Sequence, residues 1–289
     1  MVPVIQRLQN ILVNASAKNK FLMDVYLTPN GQKKDLVVFC HGFKGFKDWG
    51  AWHLIAEQFA LAGFVFVKFN FSHNGTTIDA PEDLLDMDAF SENNFSKEWS
   101  DLQSCIKHLK ATDAINQNEL NHERIHLIGH SRGGGLVLTV GHNLPSVQTI
   151  TGWASVDSLD YAWKDPAFVE DWKAAGKYEV YNGRIKQNMP LKFQFYEDFQ
   201  ENKDIFTLRS NFTKFEGPVL LCHGKEDLAI PHTTAETIKS YRPENTDLIL
   251  IEECDHVFNL RHPYKQNSLT ESATLLVNET INFIKKSKQ

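Results

Sequence analysis

The sequence predicts an α/β protein in which helices cover both faces of a mostly parallel sheet. Most candidate strands are continuous apolar runs, which is typical of strands that are buried on both faces. Helical segments alternate with these strands along the chain, and such alternation is typical of parallel sheets. Two further strands at the start, joined by a polar stretch, predict an antiparallel pair at one edge of the sheet.

The candidate strands are short. The leading antiparallel pair comprises residues 5–13 and 21–27, and residues 14–20 join its two strands. The strands that follow are rich in valine, isoleucine, leucine and phenylalanine, as expected of buried strands. They are residues 36–40, 64–69, 125–128, 150–154, 219–222 and 248–251.

Helical segments occupy much of the sequence between these strands. They are residues 51–62, 95–110, 134–143, 233–241 and 268–285. Two other segments interrupt the alternation. Residues 76–94 are acidic and are expected to form a loop with a short helix near the functional site. Residues 164–215 are rich in aromatic side chains and are expected to form a cap inserted into a single domain of residues 1–289.

Composition and charge exclude several classes of function. The net charge of -6 and the isoelectric point near 6.1 argue against a nucleic-acid partner, because such binding normally needs a concentrated basic surface. No apolar run is long enough for a membrane span, and residues 1–20 lack the apolar run of a signal peptide. The four cysteines are therefore interpreted as reduced thiols of a cytoplasmic protein.

A serine between two glycines is the most informative motif. Residues 129–133 read Gly-His-Ser-Arg-Gly and lie between a candidate strand and a candidate helix. In a strand-to-helix turn of this kind, called a nucleophile elbow, the serine is held outward at the amino terminus of the helix. Glycines are needed beside it because larger side chains would collide with the strand and the helix. The motif predicts Ser131 as a nucleophile, and an ordinary serine in a glycine-rich turn is the alternative.

Residues downstream of Ser131 supply the base and the acid that a nucleophilic serine needs. Asp227 follows a buried strand and a glycine turn, and His256 follows the last strand. The order serine, aspartate, histidine accompanies this elbow, so we predict His256 as the base and Asp227 as the acid. Glu226 and Asp255 are the alternative carboxylates. Asp255 is poorly placed to bind the histidine because the two residues are adjacent in sequence.

Two backbone N–H groups are expected to stabilise the oxyanion of a tetrahedral intermediate. One belongs to Arg132, which follows the nucleophile. The other is expected after the strand of residues 36–40, where Gly42 allows the amide of Phe43 to face Ser131. An ordinary strand-to-helix turn is the alternative. The side chains of Phe43 and Arg132 are assigned no chemistry.

Taken in order, these motifs resemble those of the α/β-hydrolase superfamily. The resemblance rests on residues 41–43, 129–133 and 223–227 together with Asp255 and His256, and it spans nearly the whole chain. Within the superfamily, the chain resembles the bacterial cinnamoyl and feruloyl esterases, the dienelactone hydrolases and the prolyl-oligopeptidase-type hydrolase domains. The resemblance implies a serine hydrolase with an eight-stranded, mostly parallel sheet, an inserted cap and no cofactor.

One turn departs from the pattern of these relatives. Many of them have Arg-Gly-x-Gly or Asn-Gly-x-Gly after the corresponding strand, whereas residues 70–75 read Asn-Phe-Ser-His-Asn-Gly. His73 in this turn is interpreted as a structural histidine, and contact with a substrate is the alternative. Residues 122–126 read His-Glu-Arg-Ile-His, but they enter a strand rather than a helix, so we predict no metal site there.

The expected function is hydrolysis of a carboxylic ester by Ser131, His256 and Asp227. The expected partner is a small-molecule ester with a small or aromatic acyl group, for which aromatic side chains of residues 164–215 could form an apolar wall. A small peptidase or a thioesterase is an alternative, because the same triad attacks amides and thioesters. A non-catalytic binding protein of the same fold is another. The oligomeric state stays open, a homodimer included.

Overall fold

Eight strands form one central sheet in the computed structural model, which describes residues 4–15 and 20–287. Two more strands form a separate antiparallel hairpin. In chain order the strands are β1 (Gln6–Asn14), β2 (Lys20–Leu27), β3 (Lys34–Cys40), β4 (Val65–Phe69), β5 (Leu120–His130), β6 (Val147–Trp153), β7 (Lys177–Asn182), β8 (Gln187–Lys192), β9 (Val219–Gly224) and β10 (Thr246–Ile251).

The sheet has the order β1-β2-β4-β3-β5-β6-β9-β10. The pairs β1–β2 and β2–β4 are antiparallel, and the other pairs are parallel. The predicted fold class, the eight strands and the antiparallel pair at one edge are therefore confirmed. Part of the segment predicted to join β1 and β2, residues 16–19, lies outside the described residues.

Helices follow the strands as the alternation predicts. They are α1 (Trp52–Leu61), α2 (Met87–Ser91), α3 (Phe95–Ala111), α4 (Arg132–Val140), α5 (Pro166–Ala175), α6 (Gln194–Glu201), α7 (Lys203–Phe206), α8 (Leu208–Phe212), α9 (Thr233–Ser240) and α10 (Glu271–Lys286). The short α2 lies in the acidic segment, as expected. Within the described ranges, none of the helices has the length and apolar character needed to cross a membrane.

Alternate side chains of β3 enter two different cores. Leu36 and Val38 lie in the core that contains apolar residues of α3 and α4. Val37 and Phe39 lie in the core that contains apolar residues of α1 and α10. Successive side chains of a strand point to opposite faces of the sheet, so a strand covered on both faces is apolar at most positions. This explains the continuous apolar runs in the sequence.

The segment between β6 and β9 contains α5, the β7–β8 hairpin, α6, α7 and α8, none of which was assigned from the sequence. Most of its aromatic side chains pack within it or against α3. Trp172 is buried and donates its indole N–H to the carbonyl oxygen of Leu191 at 3.0 Å. The rings of Phe195 and Phe95 of α3 have their centroids 4.8 Å apart. Aromatic packing therefore fixes the segment beside the sheet.

Candidate active site

Ser131 lies in a strained turn between β5 and α4. Its backbone angles are φ 54° and ψ -119°, and its N–H donates to the carbonyl oxygen of Trp153 at 2.8 Å. A positive φ is unfavourable for a serine and is kept only where the surrounding structure enforces it. A β carbon at Gly129 would lie 2.2 Å from the carbonyl oxygen of Gly133, so only glycine fits at that position. The turn has the backbone strain and the close packing of a nucleophile elbow.

Ser131 and His256 line the same cavity, which has a volume of about 160 Å³. His256 Nδ1 lies 2.7 Å from Asp227 Oδ2, and the carboxylate is fully buried whereas the histidine side chain is 22% exposed. In the described part of the chain, no hydrogen bond joins the Ser131 hydroxyl to His256. The structure thus joins two of the three predicted catalytic residues directly and places the third in the same cavity.

The Asp227 carboxylate accepts four hydrogen bonds. Oδ1 accepts the backbone N–H groups of Ala229 and Ile230, each at 2.8 Å. Oδ2 accepts from His256 and from Nε2 of His223, the latter at 3.1 Å. Burial raises the pKa of Asp227, but hydrogen bonds from His223, His256 and Ile230 outweigh it and hold this pKa well below the ordinary value. The carboxylate is therefore ionised at neutral pH.

Among the described residues, neither alternative carboxylate contacts His256. Glu226 is exposed. Asp255 Oδ1 accepts the N–H groups of Val257 and Asn259 at 3.0 and 2.8 Å, and Asp255 Oδ2 pairs with Arg261 at 2.7 Å. Asp255 thus shapes the turn that carries His256 and does not bind the imidazole.

The turn after β3 lies against the nucleophile elbow. A β carbon at Gly42 would lie 3.0 Å from the Ser131 β carbon and 3.2 Å from the His130 carbonyl oxygen, so the two turns are in close contact. Among the described residues, the backbone N–H groups of Phe43 and Arg132 donate no hydrogen bond. Both predicted oxyanion donors are therefore available for a ligand.

Two buried histidines form hydrogen bonds that stabilise the turn after β3 and the loop that carries His256. His41 Nδ1–H donates to the carbonyl oxygen of Gly42 at 2.9 Å, and its Nε2 accepts the N–H of Phe71 at 3.3 Å. His130 Nε2–H donates to the carbonyl oxygen of His256 at 2.9 Å. Burial lowers the pKa of His41 to about 4, and burial together with His256 lowers the pKa of His130 to about 3. Both rings are neutral at pH 7. No role was predicted for either histidine from the sequence, although both lie inside the motifs.

A second cavity of about 330 Å³ adjoins the first, and Phe43 and Lys44 line both. Its walls are mainly aromatic, and they include Phe95, Tyr161, Trp163, Phe168, Tyr178 and Phe195. The Arg132 side chain also lines it, 4.2 Å from the centroid of the Phe43 ring and 2.5 Å from Glu98 Oε1. No chemistry was predicted for the Arg132 side chain from the sequence, and Glu98 carries no motif that would connect it to the site.

His73 and the His122–His126 motif lie away from Ser131. His73 lines a separate cavity of about 340 Å³, and its Nδ1 lies 2.7 Å from Ser72 Oγ. His122 contacts Gln117, and His126 contacts Thr149. Across residues 4–15 and 20–287, no cluster of three or more histidine, cysteine, aspartate or glutamate residues could hold a metal ion.

Comparison with known proteins agrees with this architecture. The family model for the alpha/beta hydrolase fold matches residues 35–178. With the eight-stranded sheet and the elbow between β5 and α4, this match assigns the chain to the α/β-hydrolase superfamily and confirms the resemblance inferred from the motifs. No curated protein matches the sequence.

Solved structures that share the fold include several enzymes. Est1E from Butyrivibrio proteoclasticus is 14% identical with a TM-score of 0.66, and 96% of this chain and 98% of Est1E are covered. The esterase domain of a Rhodothermus marinus protein is 19% identical with a TM-score of 0.63, and 98% of each chain is covered. The dienelactone hydrolase from Anabaena variabilis is 16% identical with a TM-score of 0.60, and coverage is 97% of this chain and 98% of that one.

Proposed function

We propose that the protein is a serine hydrolase that cleaves carboxylic esters of small or aromatic acyl groups through an acyl-enzyme intermediate. The observation that carries this proposal is the 2.7 Å hydrogen bond between His256 Nδ1 and the buried Asp227, beside a serine held in an elbow in the same cavity. An imidazole fixed in this way presents its other nitrogen as a base, which is what a serine hydroxyl needs.

In the first step of the proposed reaction, His256 Nε2 takes the hydroxyl proton of Ser131 as Oγ attacks the ester carbonyl carbon. Asp227, already ionised, stabilises the imidazolium that forms. The Ser131–His256 hydrogen bond need not preexist, because catalytic hydrogen bonds often tighten only when the substrate binds. The carbonyl oxygen becomes an oxyanion, which the free N–H groups of Phe43 and Arg132 would receive.

Collapse of the tetrahedral intermediate breaks the bond to the alcohol oxygen, and His256 returns its proton to that oxygen. The acyl group then remains on Ser131. Water attacks the acyl carbon, with His256 acting again as base, and release of the acid restores the serine hydroxyl. Each proton that leaves one oxygen returns to another, so the chain's own residues suffice for the cycle.

The second cavity supports the proposed substrate class. It opens beside Phe43 and has room and apolar walls for a ring or a short acyl chain. Five aromatic residues of the segment between β6 and β9 contribute to those walls, namely Tyr161, Trp163, Phe168, Tyr178 and Phe195. We propose that this segment acts as a cap over the substrate.

Several structural relatives are consistent with esters as substrates. One structure is of Est1E with ferulic acid bound, another is an esterase domain, and a third is a dienelactone hydrolase. The identities of these relatives to the chain lie between 14% and 19%. The proposal of ester hydrolysis therefore rests on the geometry of the cavity. The relatives suggest which esters to test first.

The test is turnover of 4-nitrophenyl acetate and butyrate by the wild type, by Ser131→Ala and by the matched surface control Ser210→Ala. We expect loss of turnover in the first variant and wild-type turnover in the second. Equal rates in the wild type and Ser131→Ala would overturn the proposal. A fluorophosphonate probe separates a catalytic from a non-catalytic protein, because only an activated serine is labelled. A panel of aryl esters, acyl thioesters and aminoacyl amides distinguishes an esterase from a thioesterase or a peptidase.

A further inference from the structure

The two adjoining cavities have an unbalanced charge. Among the described residues that line either of them, Lys44 and Arg132 carry a positive charge and none is an aspartate or a glutamate. The whole chain has a net charge of -6, so a cavity surface with cations alone is unlike the rest of the protein. The two cations differ in whether a carboxylate of the protein neutralises them.

Arg132 has a counter-ion behind the cavity wall. Its guanidinium lies 2.5 Å from Glu98 Oε1, and the Glu98 side chain is 1% exposed. Its planar face rests on the Phe43 ring, with 4.2 Å between the guanidinium carbon and the ring centroid. This arrangement satisfies the charge and the flat faces of the guanidinium within the protein.

Lys44 has no carboxylate partner among the described residues, although its Nζ lies over the Phe43 ring, 5.6 Å from the centroid. Its Nζ donates to the backbone carbonyl oxygen of Tyr181 at 3.2 Å, and no carboxylate of the described residues lies within 4 Å of it. The side chain is half-buried, and burial lowers its pKa. A cation that lines a cavity without a carboxylate partner can pair there with an anionic ligand. An ammonium has three N–H donors, so two remain for a ligand.

The backbone conformation of Lys44 is unusual and supports a role of this residue in binding a ligand. Its φ is 58°, in the left-handed region that favours glycine, yet the residue is a lysine. Strain of this kind persists where the surrounding structure enforces it and is often found at ligand sites. With this backbone conformation, Lys44 follows Phe43 and lines both cavities.

We propose that the physiological substrate is an anionic ester, with a carboxylate on its acyl part or on its alcohol part that pairs with Lys44 at the junction of the two cavities. This inference rests on the proposed ester hydrolysis at Ser131. The apolar body of the substrate then occupies the aromatic cavity. Lys44 is a specificity-determining residue in this arrangement.

Two matched pairs of substrates test the inference and distinguish the two positions of the carboxylate. For the acyl part, 4-nitrophenyl hydrogen adipate is compared with 4-nitrophenyl methyl adipate. For the alcohol part, 4-acetoxybenzoate is compared with methyl 4-acetoxybenzoate. We expect the wild type to prefer the anionic member of one pair by about tenfold in kcat/KM, the effect of one partly buried ion pair.

Three variants test whether the preference for the anionic ester depends on Lys44. Lys44→Met should lower kcat/KM for the anionic ester by about tenfold more than kcat/KM for its neutral partner, which abolishes the preference, and Lys44→Arg should restore the preference. Lys173→Met, at an exposed position on α5, is the control and should behave as the wild type. Added salt should reduce the preference of the wild type and not that of Lys44→Met, because ions screen charge pairing. A purely structural role for Lys44 would change both members of a pair alike.

The outcomes separate the two proposals. Ser131-dependent hydrolysis of neutral esters without a preference for either anion, or equal effects of Lys44→Met on both members, would overturn the inference and leave ester hydrolysis standing. If no ester is hydrolysed, the proposed function fails, and calorimetry with methyl hydrogen adipate and dimethyl adipate decides the inference. Selective binding of the half-ester that is lost in Lys44→Met supports an anion site, and equal or absent binding overturns it.

Discussion

His256 Nδ1 and Asp227 Oδ2 lie 2.7 Å apart and connect the loop that follows β10 to the loop that follows β9. The two strands are parallel neighbours, so their carboxyl ends meet at one edge of the sheet. Residues separated by 29 positions in sequence thereby form one hydrogen bond. Ser131, at the carboxyl end of β5, lies at the same edge.

Replacement of this carboxylate should nearly abolish the proposed activity. In Asp227→Asn the amide can no longer stabilise the imidazolium, and it can hold His256 in the wrong tautomer. We expect kcat to fall by about 10³- to 10⁴-fold, as for other serine triads. The measurement is turnover of 4-nitrophenyl butyrate.

The adjacent carboxylate provides a matched control. Glu226 is exposed and its side chain is absent from the hydrogen bonds at the site, so Glu226→Gln should retain wild-type turnover. A comparable loss in the two variants would contradict the assignment of Asp227 as the acid.

His223 should act as a positioning residue for Asp227. Its Nε2–H lies between Asp227 Oδ2 at 3.1 Å and the carbonyl oxygen of Ile230 at 2.8 Å, and its side chain is fully buried. In His223→Leu, we expect kcat to fall by about 10- to 100-fold with little change in KM, since a hydrogen bond to a charged group is lost. Steady-state kinetics with 4-nitrophenyl butyrate measures both parameters.

A glutamine at position 223 tests whether the donor matters. The amide N–H of His223→Gln can reach the position of the imidazole N–H, so part of the lost kcat should return. If leucine and glutamine give the same kcat in folded protein, hydrogen bonding to Asp227 is not the role of His223.

A methyl group at Gly42 should disturb the nucleophile elbow and lower the activity. A β carbon there would lie 3.0 Å from the Ser131 β carbon, so Gly42→Ala must displace the elbow or the turn that carries Phe43. A displacement of about 1 Å can lower the rate about 10²-fold, and the smaller shift needed here should lower kcat/KM for 4-nitrophenyl butyrate by about tenfold. Gly183→Ala is the control, because its nearest neighbour would be an ordinary 3.8 Å contact with Tyr181. Unchanged kinetics in Gly42→Ala would contradict the close contact of the two turns.

Asp101 should make folding stability depend on pH. It is buried on α3, where Oδ2 accepts the N–H of Ser72 at 2.7 Å. Burial raises the pKa of Asp101 to about 7, against about 4 in an unfolded chain. The folded state therefore keeps a proton that the unfolded state loses. The contribution of Asp101 to stability is complete below pH 4 and is lost as the pH rises to about 7.

Denaturant unfolding of the wild type and Asp101→Asn between pH 4 and 8 measures this contribution. The asparagine retains an oxygen for Ser72 and cannot ionise. Relative to the variant, the free energy of unfolding of the wild type should fall by up to about 1.4 kcal/mol per pH unit between pH 4 and 7. Above pH 7 the difference between the two proteins should stay constant. A difference between the two proteins that is constant with pH would contradict the raised pKa.

The central fold followed from local patterns. Each predicted strand of the sheet is present, and β5 begins at Leu120, five positions before its predicted start at Ile125. The added residues include the polar run 121–124, whose composition does not favour a strand. Leu120 and Asn121 nevertheless pair with residues 34 and 35 of β3. The elements between β6 and β9 were not assigned, because their dense aromatic residues follow neither strand nor helix periodicity clearly.

The residues in the candidate site were predictable where a motif carries them. A recognisable strand and turn precede each of the residues Ser131, Phe43, Asp227 and His256. The contact of His223 with Asp227 required the turn geometry after β9. The pairing of Arg132 with Glu98 joins helices α4 and α3.

By itself, the sequence determined the α/β fold and the order of the strand ends that carry the candidate catalytic residues, because periodicity and turn chemistry act between near neighbours along the chain. Only the tertiary structure decided which carboxylate orients His256, and it also revealed a cavity with a neutralised Arg132 and an unpaired Lys44. The reason is physical: ion pairing, burial and cavity shape depend on distances between residues far apart in sequence, and those distances are set when helices and loops pack around the sheet.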